Sequence, residues 1–178
     1  MVYGSITLLK TLELYNIFME SSARDGVEGY GHDYFTAHTI LKSIPPIGAD
    51  DLGRFVERIG NETFNNADVA AGSFLSAVIN RCPDPKFELT LKCPPLSYLG
   101  AQFGSEQPHE LTINGNAKYQ FAHEMKNGIL ILKGNAHNAG TLMTNGQLII
   151  QGNIQTSPFP GKSGGIATIG KGKYKGTY

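Results

Sequence analysis

The sequence predicts an α+β protein, with a small helical N-terminal region over residues 1–84 and a short parallel β-helix over residues 85–178. Three observations carry that reading. Apolar residues recur at helical spacing in the first part, they alternate beyond Pro85, and from Glu110 onward the chain repeats itself every 18 to 19 residues. Composition agrees: among 178 residues there are 22 glycines, no tryptophan and only 17% charged side chains, which favours a turn-rich β protein over a helical bundle. A chain this long buries one core, or two small ones, without metals or disulfides.

In chain order, Leu8, Leu12, Tyr15 and Met19 share one face of a helix over Ser5–Ser21, with Leu9, Ile17 and Phe18 widening the stripe. Residues 23–38, ARDGVEGYGHDYFTAH, hold Gly26, Gly29 and Gly31 and are expected to form a loop. Ile44 precedes a proline and is expected to be extended. Asp50 then suits the N-cap of a second helix, in which Leu52, Phe55, Val56 and Ile59 line up until Gly60. Asn65 or Asn66 is expected to cap a third, with Ala71, Phe74, Leu75 and Val78 on one face, ending before Pro83.

Phe87, Leu89 and Leu91 alternate with Glu88, Thr90 and Lys92, the mark of a half-buried strand. Aligning Gly115, Gly134 and Gly152 sets Leu111, Leu130 and Leu148 in one column and Ile113, Leu132 and Ile150 in the next. Asn116, Asn135 and Asn153 follow the glycines, and Met125–Gly128 matches Met143–Gly146. So short a unit cannot bury its own apolar face, so the copies must stack coil on coil. Leu130, Leu132, Leu148 and Ile150 are expected inside, glycine or Asn-Gly at the positive-φ corners, and the asparagines in a hydrogen-bonded ladder. Ile131 and Ile149 face outward, where the helices over 51–59 and 67–80 are expected to cover them.

The order apolar-x-apolar-x-Gly-Asn-Ala, Ala-Gly, Met-x-x-Gly resembles the GXGXG domain, found at the C-terminal end of glutamate synthase large subunits and in one of the subunits of formylmethanofuran dehydrogenase. That resemblance covers residues 109–153 well and implies a right-handed β-helix acting as a packing scaffold beside catalytic domains, with no catalytic residues of its own. This chain has fewer coils, reads Gln120-Phe121-Ala122 where Ala-Gly is expected, and carries a helical N-terminal half foreign to the family. Glycines six residues apart also fit a left-handed hexapeptide β-helix of the acyltransferase type, in which His123 or His137 would serve as general base.

Outside the repeat, His32, Asp33 and His38 are the candidate metal ligands, two histidines and a carboxylate close in sequence. Cys82 and Cys93 are read as free thiols, and Pro160–Gly165 as a turn, since Thr156 stands where a phosphate loop needs glycine. Net charge is zero, but residues 1–84 carry six Lys/Arg against eleven Asp/Glu and residues 85–178 nine against four. Nothing in that balance points to nucleic acid or membrane. The expected function is a non-catalytic scaffold or interaction protein, accessory to an oxidoreductase or amidotransferase assembly. It is expected to be cytoplasmic, without a cofactor, and to form a homo-oligomer or bind a protein partner. The alternatives are an enzyme using the segment from His32 to His38 and the acyltransferase. The tail from Gly161 to Tyr178 is expected to cap the open end of the coil.

Overall fold

A computed structural model describes residues 2–25, 30–60, 68–156 and 158–170, with the side chains of 2–5, 23–25 and 30–32 outside that description. Four helices come first: α1 (Val2–Asp25), α2 (Tyr30–Leu41), α3 (Ala49–Ile59) and α4 (Asp68–Asn80). Five parallel strands follow, β1 (Lys86–Thr90), β2 (Glu110–Asn114), β3 (Ile129–Leu132), β4 (Gln147–Ile150) and β5 (Ile166–Ile169), stacked in sequence order as one face of a β-solenoid.

α4 is the centre of the helical part, buried on every side from Ala70 to Asn80 rather than along one face. Phe74 meets Tyr15 and Phe18 of α1, each at 5.3 Å between ring centres, and Phe55 of α3 lies 5.6 Å from Tyr15. α1 turns Thr11, Tyr15 and Phe18 inward, while Leu9 and Ile17, expected on its apolar stripe, are 64% and 53% exposed. The helix carries more apolar surface than the described residues cover.

The loop expected over residues 23–38 is helix at its two described ends, α1 running on to Asp25 and α2 beginning at Tyr30, while residues 26–29 lie outside the described residues. Tyr34, Ala37 and Leu41 recur at helical spacing and are all buried. Gly31 falls in the first turn of the helix, where a glycine costs less than the roughly 1 kcal/mol of an interior position, and that burial outweighs it. At α3 the expected Asp50 cap is also corrected. The helix starts two residues earlier, with Gly48 at the N-cap, and the Ala49 N–H donates to Asp84 Oδ2 at 2.6 Å across 35 residues of chain, leaving Asp50 and Asp51 in the first turn. The cap expected at Asn65 or Asn66 lies outside the described residues.

In the solenoid the registers are those of the sequence columns: Leu111↔Leu130↔Leu148 and Ile113↔Leu132↔Ile150. All six side chains are fully buried. The six-residue phase is not kept, because Leu142, which it places inside, is 45% exposed. The helices sit at one end and not over the outer face. α3 packs on β1, and among the described residues no helix touches β3 or β4, so Ile131 and Ile149 are half-buried by sheet neighbours alone.

Candidate functional site

The three predicted metal ligands fall on α2. Asp33 is buried, and His38 pairs with Glu106 on the loop before β2, Nδ1 to Oε1 at 3.2 Å. Five residues of α-helix set Asp33 and His38 about 140° apart around the axis, so a regular helix does not aim them at one point. The backbone of His32 belongs to α2, and its side chain lies outside the described set. Burial pushes the His38 imidazole below its ordinary pKa, against the opposing pull of Glu106. Among the described residues no three His, Cys, Asp or Glu side chains are grouped to hold a metal ion.

Within the repeat, the asparagines form the ladder. Asn116 Oδ1 accepts the Asn135 N–H, and Asn135 Oδ1 accepts the Asn153 N–H, both at 2.8 Å. The glycines beside them act differently from the expectation. Of the three, only Gly115 has positive φ; a Cβ on Gly134 would lie 1.9 Å from the Gly115 carbonyl oxygen, and one on Gly152 2.4 Å from that of Gly134. They are glycine because backbone stacks directly on backbone. The positive-φ corners just before strands are Gly128 and Gly146, as expected of the Asn-Gly pairs, and Gly165, while Gly100, Gly104, Gly140 and Gly161 have positive φ elsewhere in the coils. Further positive-φ residues line the turn stack without being glycine, among them Ala122, Glu124, Leu142 and Phe159.

His123, the candidate base of the acyltransferase reading, sits in that turn stack. Its Nε2 is 3.4 Å from Glu124 Oε1 and its ring meets Tyr98 edge-on at 5.4 Å. Gln102 Nε2 donates to Glu124, and Lys126 is 3.8 Å from the same carboxylate. Burial lowers the His123 pKa, with Glu124 opposing. His137 is held at Nδ1 by Gln155 Oε1 at 2.9 Å and lies 4.2 Å from the Tyr119 ring. Both imidazoles are held in polar contacts along the solenoid surface.

The arrangement that sequence reasoning missed is where α4 meets the first coil. Gly72, Ser76 and Asn80 recur every four residues along α4 and face residues 97–104. A Cβ on Gly72 would lie 1.9 Å from Ser97 O. Ser76 Oγ sits 2.9 Å from Tyr98 O and accepts the Ala101 N–H at 3.3 Å. Asn80 donates to Ala101 O at 3.0 Å and to the Tyr34 hydroxyl at 3.1 Å, while its Oδ1 accepts the Gly104 N–H at 2.9 Å. Asp68 closes the other end of the seam, accepting from Ser97 Oγ at 2.5 Å and facing Lys118 at 3.3 Å. Peptide groups that would have bonded a preceding coil are thus bonded by a helix.

At the far end β5, itself part of the tail expected to cap the coil, pairs with β4 and, among the described residues, with nothing else; residues 171–178 of that tail lie outside the described residues. Ala167 and Ile169, its inward residues, are half-buried, and Ile166 is 64% exposed. A groove of about 580 Å³ lies apart from the solenoid, between α1 and α3, lined by Leu8, Leu9, Leu12, Arg54, Glu57 and Arg58. None of the described helices is long and apolar enough to cross a membrane. No family model, characterised protein or solved structure matches this chain.

Proposed function

We propose that the protein is a structural and interaction module without chemistry of its own, which offers the β5 end of its solenoid to a protein partner. The observation that carries this reading is the contrast between a first coil sealed by α4 and a last coil whose inward residues stay half-exposed. A parallel edge with an apolar interior behind it is an open template for another strand or protein. The resemblance to the GXGXG domain supports the same reading and adds its finer terms: a right-handed coil serving as an accessory or scaffold component beside catalytic domains of an oxidoreductase or amidotransferase assembly. No cofactor, nucleic acid or membrane enters it.

Amide exchange tests the proposal. The amides of Ile166–Ile169 should exchange fast in dilute protein and slow down when the end is docked, on a second copy at high concentration or on an added partner protein. Those of β3 should stay slow throughout. β5 amides already slow in a dilute monomer would overturn it. The rival metal reading has a separate test, zinc titration of the wild type against His32→Ala and His38→Ala.

A further inference from the structure

The exposed side of α1 carries an order of residues that reads the same from both ends. Ile6, Lys10, Glu13 and Ile17 are spaced by four, three and four residues and are all exposed. At 100° per residue they fall within about 60° of arc, and they span about 16 Å along the axis. This is the spacing of a helix–helix seam. Ile6 is 47% exposed and Ile17 53%, and neither Lys10 nor Glu13 forms an ion pair among the described residues. Leu9, the most exposed apolar residue among the described side chains of the helix, flanks the seam.

We infer that α1 docks against α1 of a second copy, antiparallel, about a two-fold axis passing between Thr11 and Leu12. In that register Ile6 meets the second copy's Ile17 and Lys10 meets its Glu13, and the axis repeats both contacts. Two apolar layers thus close the ends of the seam and two opposite-charge layers its middle. The occupant is identified by the charge order. Lys10 and Glu13 stand at equal distances on either side of the axis with opposite signs, so an identical helix running the other way is complementary at every layer. A parallel pairing would oppose lysine to lysine and glutamate to glutamate. The inference does not depend on the open β5 end, which lies in a different part of the chain.

A seam of about three turns is short against the area a permanent interface buries, so the dimer should be weak, concentration-dependent and loosened by salt. Sedimentation of the full chain over a wide concentration range tests it, with circular dichroism checking that each variant keeps its helices. Wild type should dimerise as concentration rises. Lys10→Glu and Glu13→Lys should each weaken association about tenfold or more, and the double variant Lys10→Glu/Glu13→Lys should restore it. Ile17→Ser should weaken it, and Thr168→Pro, in β5, should leave it unchanged. A wild type that stays monomeric at high concentration, a double variant no better than either single one, or association lost in Thr168→Pro but kept in Lys10→Glu would each overturn it.

Discussion

At the first strand of the solenoid Phe87 and Leu89 are buried, and at the last the corresponding Ala167 and Ile169 are half-buried, although both strands pair in the same parallel register. The difference lies in what stands beyond the strand. Before the first coil, α3 packs on β1, and α4 offers residues 97–104 hydrogen-bonding groups at the spacing they need and a glycine where the backbones touch. The described residues offer nothing comparable after the last. Strand pattern alone therefore makes a rung, and a polar seam makes an end.

The sharpest way to break that comparison is at Gly72. A methyl group there would meet the Ser97 carbonyl at 1.9 Å, so Gly72→Ala should force α4 off the first coil and cost about 3 kcal/mol or more, read as a large fall in the denaturation midpoint. Next comes the middle of the coil, where Leu132 is fully buried with a rung on either side. Leu132→Ala should cost about 2–5 kcal/mol, and a loss well under 1 would mean the interior is not packed. Asn80→Ala leaves the Gly104 N–H and the Ala101 carbonyl without their partner and should cost about 2–3 kcal/mol in urea unfolding. Ile169→Ala, at the open end, should cost under about 1 kcal/mol. A loss there equal to that of Leu132→Ala would show the two regions to be equally closed.

The smallest effect is expected from pH. Burial depresses the folded-state pKa of both His38 and His123, so between the folded and unfolded values the unfolded chain binds more protons. Stability should be full above the unfolded value of about 6.5 and fall as pH drops through it, levelling off once the folded imidazoles are also protonated. His38 ties the helices to the loop before β2, whereas His123 lies in the turn stack. Comparing His38→Gln with His123→Gln by thermal melting between about pH 5 and 8 would show which region loses stability first.

The solenoid was legible because its information is local and repeated: period-two alternation and three aligned glycines were enough to place every rung of β2, β3 and β4. α2 was not, because Gly29 and Gly31 masked the recurrence of Tyr34, Ala37 and Leu41, and only the packing against α4 decides which signal wins. The cap of α3 was out of reach for another reason, since Asp84 is remote in sequence and Asp50 offers the same carboxylate nearby. Ser76 and Asn80 carried a visible four-residue spacing, yet a small polar residue in an apolar helix says nothing of the carbonyl it will meet. Gly134 and Gly152 serve close approach rather than a turn, and close approach is invisible in a sequence until two coils are laid together. Of the candidate site residues, the asparagine ladder was readable and the α4 seam was not.

The equivalence of successive rungs makes the solenoid a ruler. Residues 129–146 form one complete repeat, from the start of β3 to the residue before β4, and they carry the Gly134, Asn135 and Gly146 positions that mate with the coils on either side. Copying that segment in tandem would lengthen the stack by about 4.8 Å while leaving the seam on α4 and the strand at β5 untouched. Deleting it would shorten the stack by the same step. The number of coils is thus a variable that evolution or an engineer can adjust in whole units, setting how far the open strand stands from the helices.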